Sequence, residues 1–140
     1  MNIGIVGRRG TGKTTWCYRL CGMVAPRTPP GTASVSYLGC QIDGTECSFW
    51  DFPPGLDAHY TDILKDMQFI LLCYNGRCLS DSVTVLKSRY PSAKLMILVT
   101  CANVFSVYHL HGWAQDTLSA IPVCYSENAV WNEIVRSSST

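Results

Sequence analysis

The chain has little charge and no extended cluster of one sign. Of its 140 residues, 11 are Lys or Arg and 10 are Asp or Glu, and no basic run is longer than Arg8-Arg9. A formal net charge of +1 argues against a general nucleic-acid surface. No apolar run approaches the roughly 20 residues that a membrane-spanning helix needs, and no basic-then-apolar leader pattern opens the chain. We therefore expect a cytoplasmic protein with no transmembrane segment and no nucleic-acid partner.

No C-x-x-C pair occurs, although the chain has eight cysteines. Most of them lie inside apolar runs such as Leu71-Leu72-Cys73, which is typical of small buried side chains in a reducing compartment. The spacing therefore predicts neither a disulfide framework nor a metal centre built on cysteines. Position 2 is Asn and the last five residues contain no cysteine, so we expect no lipid anchor.

One complete chemical motif is present, at residues 7–14. The run Gly7-Arg8-Arg9-Gly10-Thr11-Gly12-Lys13-Thr14 fits G-x-x-x-x-G-K-[ST] at every fixed position, between a β-branched run and a helix-like segment. The glycines allow successive backbone N–H groups to surround an oligophosphate. Lys13 is expected to reach the terminal phosphates and the Thr14 hydroxyl to ligate Mg²⁺, with Thr15 completing the nucleotide-binding loop. The alternative is a glycine-rich turn that binds nothing.

Apolar runs and turn signals predict alternating strands and helices. The continuous apolar runs 68–74 and 94–100 are typical of central strands, and Asp43-Gly44 predicts a tight hairpin. Strands are predicted at 2–6, 34–42, 45–52, 68–74, 94–100 and 121–125, and helices at 14–21, 56–67, 80–90, 111–118 and 128–135. This order predicts a three-layer α/β fold with a six-stranded, mostly parallel sheet, one antiparallel edge strand and about five helices. Residues 1–136 would form one domain, followed by a short polar tail at 137–140.

An acidic residue ends the predicted third strand, at the sheet edge where α/β proteins bind ligands. Asp51 is placed there to hold Mg²⁺ directly or through water. In Trp50-Asp51-Phe52-Pro53-Pro54-Gly55, taken with the motif at 7–14, the chain resembles the small GTPases of the Ras superfamily, whose signature is D-x-x-G or W-D-x-x-G. Pro54 occupies the place of the motif glycine, unless one inserted residue gives that part to Gly55. The resemblance covers almost the entire chain and implies a small GTPase-like, phosphate-loop NTPase domain.

Two switch segments are implied by this resemblance. Thr32 corresponds to the switch I threonine that closes over Mg²⁺ and the γ-phosphate, with Thr28 as its rival. The amide of Gly55 would meet the γ-phosphate in switch II. An effector or regulator protein would then bind through the regions near Thr32 and Gly55, with Trp50 and Tyr60 close to that surface.

Base recognition departs from the family pattern. Small GTPases use N-K-x-D after the fifth strand, whereas the corresponding run Val99-Thr100-Cys101-Ala102-Asn103-Val104 contains neither Asp nor Lys. Asn103 is the residue placed near the base, and Ser126 stands where the family has S-A-K. A neutral amide offers one carbonyl in place of a charged bidentate acceptor. The choice between guanine and adenine therefore stays open.

The hydrolytic machinery departs from the family as well. Leu56 or Asp57 follows Gly55, where the family has a glutamine that orients water. Arg9 replaces a loop glycine, and an internal arginine finger is the alternative reading of Arg8 or Arg9. His59 is the candidate for positioning water, with a solvated surface histidine as the alternative. The expected hydrolysis is slow.

Together these features predict a GTP/GDP-binding molecular switch that uses Mg²⁺ and has weak intrinsic GTPase activity. Two alternatives stay open. One is a pseudo-GTPase, an interaction module that has lost nucleotide control. The other is a small nucleotide or nucleoside kinase, which needs clustered lid arginines, whereas Arg77, Arg89 and Arg136 are scattered.

Overall fold

A twisted sheet with helices on both faces makes up the described part of the chain. The computed structural model describes residues 1–7, 12–24, 35–53, 61–74, 79–100 and 121–138. The strands are β1 (Asn2–Gly7), β2 (Ser36–Ile42), β3 (Thr45–Asp51), β4 (Phe69–Tyr74), β5 (Lys94–Val99) and β6 (Val123–Cys124). The helices are α1 (Lys13–Leu20), α2 (Thr61–Leu64), α3 (Leu79–Arg89) and α4 (Glu127–Ser138).

The six strands are ordered β2-β3-β1-β4-β5-β6 across the sheet. Strand β2 pairs antiparallel with β3 at one edge, and every other neighbouring pair is parallel. The predicted α/β class, with a mostly parallel six-stranded sheet and one antiparallel edge strand, is confirmed. Four helices lie in the described residues, and the helix predicted over 111–118 lies outside them.

Two hydrophobic cores fill the space between the sheet and the helices. Because strand side chains alternate, Ile3 and Ile5 of β1 join the core under α1 and α4, while Val6 joins the core under α2 and α3. Every residue of β4 is buried, as its continuous apolar run predicts for a central strand. Gly4 faces the second core, where an added Cβ would lie 3.2 Å from a Phe52 ring atom. The missing side chain therefore allows close packing at this point.

The hairpin between β2 and β3 has the tight turn that Asp43-Gly44 predicts. Asp43 has φ 49° and Gly44 has φ 80°, both in the left-handed region that this two-residue turn requires. Ile42 and Thr45 face each other across the turn. The register of the hairpin follows from this turn, and it continues to Ser36 opposite Asp51.

Two predicted elements are shorter than expected. Helix α2 ends at Leu64 and not at position 67, because the chain turns there to bring Gln68 N–H to the Asn2 carbonyl at 3.0 Å. The apolar side chain of Ile63 in this helix is exposed, whereas that of Leu64 is buried. Strand β6 covers two residues instead of 121–125, since Pro122 has no N–H for the ladder and only its carbonyl accepts, from Ile97 at 2.9 Å.

Helices α1 and α4 are joined side by side through polar and aromatic contacts. The Trp131 indole donates to the Leu20 carbonyl at 3.0 Å, and Arg19 forms an ion pair with Glu127 at 2.5 Å. The same guanidinium lies 4.0 Å from the centre of the Trp16 ring. Trp16 and Trp131 therefore anchor this helix pair.

The described cysteines all carry free thiols. Cys17, Cys47, Cys73 and Cys124 are buried, as the sequence predicts for most of the cysteines, while Cys21 and Cys40 are half-buried. Within the described ranges, no group of three or more His, Cys, Asp and Glu side chains is arranged to hold a metal ion. None of the described helices has the length and apolar character that crossing a membrane requires.

Candidate functional site

The carboxyl ends of three neighbouring strands meet where the phosphate-binding motif begins. Strand β1 lies between β3 and β4, with Gly7 opposite Cys73 and Ile5 opposite Asp51. The chain continues from β1 to β3 on one side and only later returns to β4 on the other. This is a topological switch point, and ligands of α/β sheets bind in the crevice outside the strand ends there.

Gly12 sets the direction in which α1 leaves this edge. It occupies the N-cap position with φ 79° and ψ 22°, a left-handed conformation that glycine adopts without the steric cost of a Cβ. No side chain caps the helix, and its first turn contains no acidic residue. The N–H groups and the positive dipole end of α1 therefore favour an anion at this position.

Lys13, the first residue of α1, is buried although it carries an ammonium group. Only 6 % of the residue is exposed. Burial lowers the pKa of Lys13, while the nearby Asp51 carboxylate and the Cys73 thiol raise it in part. A buried cation is costly unless an anion compensates it, so a phosphate bound here would stabilise the charged form.

The next residue, Thr14, forms a direct contact with the acidic end of β3. Its Oγ1 donates to Oδ2 of Asp51 at 2.7 Å. Asp51 is 3 % exposed, and its second oxygen, Oδ1, is buried as well. It meets α1 because strand alternation turns Asp51, like Phe49, toward the face of the sheet that α1 covers. A hydroxyl and a carboxylate held together are the oxygen ligands that Mg²⁺ prefers, so these two residues fit that ion.

Cys73 is a neighbour of the site that sequence reasoning did not assign to it. Burial raises the pKa of the thiol to about 12, with Lys13 acting in the opposite direction and Asp51 in the same one. The thiol is therefore protonated at neutral pH and acts as a small uncharged wall group. The sequence does show that Cys73 lies near the end of an apolar central strand. It does not show that this strand, β4, pairs with β1 and so brings Cys73 close to Lys13.

The chain beyond Asp51 is fixed to the sheet for two more residues. Phe52 donates its backbone N–H to the Ile5 carbonyl at 3.2 Å and buries its ring in the second core. Pro53 is also buried. On the other side of Asp51, the Trp50 ring is half-buried and stacks on Tyr37 with 4.9 Å between ring centres. Asp51 is therefore held from both sides.

Ser126 lies at the same edge of the sheet but three strands from β1, roughly 14 Å away by ordinary strand spacing. Its Oγ accepts a hydrogen bond from the Ala129 N–H at 3.2 Å and so caps α4. The side chain itself has a structural role in starting the helix.

The other nucleotide-binding candidates fall into two groups. Gly7 is buried at the end of β1, Gly12 is exposed and Thr15 is half-buried. The remaining candidates stay predictions because they lie outside the described residues: Arg8, Arg9, Gly10, Thr11, Thr32, Gly55, His59 and Asn103.

Comparison with known proteins finds neither a family model nor a curated protein that matches this chain. A function for the site is therefore argued from its own residues. These are the buried Lys13, the adjacent hydroxyl–carboxylate pair of Thr14 and Asp51, and the uncapped start of α1.

Proposed function

We propose that this chain is a small GTPase-like molecular switch, which binds GTP or GDP with Mg²⁺ at the carboxyl edge of β1 and β3 and hydrolyses GTP slowly. The observation that carries the proposal is the 2.7 Å hydrogen bond between Thr14 and Asp51, formed beside the buried Lys13. Thr14 and Asp51 are 37 positions apart in sequence. With Lys13 they form the combination of side chains that a Mg²⁺–phosphate site needs.

Charge at this edge supports an anionic ligand. Lys13 is largely removed from water, and burial lowers its pKa more than the nearby Asp51 carboxylate raises it. An oligophosphate at this edge would add negative charge beside Lys13. Its oxygens would accept hydrogen bonds from the N–H groups at the start of α1. Binding would raise the pKa of Lys13 again, because the charged form gains a partner.

Thr14 and Asp51 would hold Mg²⁺ at the same place, and the ion would neutralise charge on the phosphate oxygens when bound. Strand order adds support from the fold. The order β2-β3-β1-β4-β5-β6 with β2 antiparallel agrees with the small GTPase resemblance. It also places β1 at the switch point, where ligands of α/β sheets bind.

The switch function is proposed from the position of the β2–β3 hairpin. Thr32 lies four residues before β2 begins at Ser36, and Gly55 lies four residues after β3 ends at Asp51. The hairpin therefore links both predicted switch segments in one paired unit, which is fixed to β1 through residues 48–51 of β3. Contacts of Thr32 and Gly55 with a γ-phosphate would therefore both act on the hairpin. Ordering of the two segments by these contacts would then change the affinity for a protein partner.

Nucleotide titration tests the proposal. Protein stripped of ligand is titrated with fluorescent GDP, GTP and ATP analogues, with and without Mg²⁺, beside Lys13→Ala. Lys65→Ala is the matched control, because Lys65 is an exposed lysine paired only locally with Asp62 at 3.5 Å. We expect Mg²⁺-dependent guanine-nucleotide binding that weakens by roughly ten- to a hundredfold in Lys13→Ala and is unchanged in Lys65→Ala.

Three other outcomes would redirect the assignment. A folded wild-type protein that binds no nucleotide would identify a pseudo-GTPase interaction module. Equal or tighter ATP binding would remove the guanine preference. Transfer of phosphate to a nucleoside acceptor would make the protein a kinase. Circular dichroism of each variant separates loss of binding from loss of fold.

A further inference from the structure

A cavity opens at the opposite end of the sheet from Lys13. It has a volume of about 560 Å³. Phe69, at the amino end of β4, lines it, whereas Cys73 on the same strand lies beside Gly7. Four residues of strand separate the two positions by roughly 13 Å. The cavity is therefore distinct from the proposed nucleotide site.

The walls of this cavity are largely apolar. They come from the starts of β4 and β5, the end of α3, the segment before β6 and the second half of α4. Apolar and aromatic contributors include Phe69, Ile70, Leu86, Tyr90, Met96 and Ile121. Its volume lies in the range of about 300–1,000 Å³ that small-molecule sites occupy, and the composition suits the apolar body of such a ligand.

Three cations and one carboxylate stand among these apolar walls. The cations are Lys87, Lys94 and Arg136, and the carboxylate is Glu133. Glu133 is already paired with Arg136 at 2.6 Å. Within the described ranges, neither lysine forms an ion pair. The cavity therefore carries more positive charge than the whole chain, whose formal net charge is only +1.

Helix termini explain part of this charge but not all of it. Lys87 and Arg136 lie in the last turns of α3 and α4, where cations complement the negative dipole end. Lys94 opens a β-strand, and no helix dipole explains it. Its ammonium lies 6.0 Å from the centre of the Phe69 ring, which places a charge directly beside an apolar wall.

We infer that this cavity binds a small amphipathic monocarboxylate, with its apolar body against the walls and its carboxylate between Lys87 and Lys94. The two lysines favour the anionic carboxylate of the ligand by charge complementarity, and the apolar lining favours its hydrocarbon part. The inference is independent of nucleotide binding, because no residue of the cavity belongs to the Lys13 site.

Calorimetric titration with two probes of the same body and opposite charge tests it. Decanoate should bind, and decylammonium should bind about tenfold more weakly or not at all. The double variant Lys87→Gln/Lys94→Gln should weaken decanoate binding by about tenfold, since it removes both free cations. Lys65→Gln, an exposed lysine outside the cavity, should leave decanoate binding unchanged.

A cavity-filling variant provides an independent readout. Ala93 lines the cavity and is half-buried, so Ala93→Phe should block decanoate without removing a charge. The inference is overturned if wild-type protein does not bind decanoate, if decylammonium binds equally well, or if the double lysine variant behaves like Lys65→Gln. A GDP titration of each variant separates this result from the nucleotide proposal, because cavity variants should bind GDP like wild type.

Discussion

Gly12 provides the sharpest test of how the backbone is shaped at the start of α1. Its φ of 79° and ψ of 22° are left-handed, and an added Cβ would meet only Trp16 Cδ1, at an ordinary 3.7 Å. The cost of Gly12→Ala is therefore backbone strain and not crowding. A left-handed L-residue costs roughly 1–2 kcal/mol, and the reduced freedom of alanine in the unfolded chain offsets about 0.4–1 kcal/mol of that. We expect a net loss of about 1 kcal/mol.

Urea unfolding measures this loss as a lower midpoint with an unchanged slope, and thermal unfolding as a Tm lower by roughly 3–5 °C. Gly39→Ala is the matched control: it lies in β2 without a left-handed φ, and an added Cβ there has nothing within 4 Å. Alanine at position 39 should leave stability equal or slightly higher. Equal stability of the two variants would refute the left-handed geometry assigned to Gly12.

Three further predictions concern the packing and the buried thiols. Gly4→Ala should lose about 1–3 kcal/mol in urea, since three side-chain atoms lie 3.2–3.3 Å from the added Cβ; an unchanged midpoint would contradict the close packing. Trp131→Phe should lose about 1 kcal/mol in thermal unfolding, because the last carbonyl of α1 loses its indole donor; wild-type stability would show that this bond contributes nothing. Burial raises the pKa of Cys73 to about 12 and of Cys124 to about 11, so folding keeps both thiols protonated. Their contribution is complete below about pH 8.5 and falls by up to about 1.4 kcal/mol per pH unit per thiol above it, while the lowered pKa of Lys13 acts in the opposite direction; urea midpoints that stay flat from pH 8 to 10 would oppose this.

Local sequence signals predict the central elements well because each carries its own physical cause. The run that forms β4 is apolar at every position and is buried at every position. The Asp43-Gly44 turn accepts positive φ, and the hairpin forms around it. The end of α2 could not be predicted in this way. The helical spacing of Leu64 and Met67 continues, but tertiary packing under Gly4 turns the chain toward β4 instead.

The candidate site likewise combines residues that local sequence predicts with contacts that only the tertiary structure creates. Lys13, Thr14 and Asp51 could be proposed one at a time from residue type and spacing. Their contact depends on the register of β1 with β3, which places Ile5 opposite Asp51, and no local pattern encodes that register. The position of Cys73 beside Lys13 depends likewise on β4 being the neighbour of β1.

The cavity near Lys94 was not predictable from sequence at all. Its walls come from segments around positions 69, 87, 94, 121 and 136, each of which reads locally as an ordinary strand or helix end. Only the packing of α3 and α4 against opposite faces of the sheet brings these ends together.

The dependence of nucleotide binding on Mg²⁺ tests the central claim most directly. Wild-type protein and Asp51→Asn, a variant of the same shape without the charge, are titrated with GDP by calorimetry in Mg²⁺ and in EDTA. We expect wild-type affinity to fall by about tenfold or more without Mg²⁺, and Asp51→Asn to bind weakly and equally in both conditions. Wild-type affinity that is indifferent to Mg²⁺, or an Asp51→Asn variant that keeps the full Mg²⁺ response, would contradict the assignment of Thr14 and Asp51 as the ion's ligands.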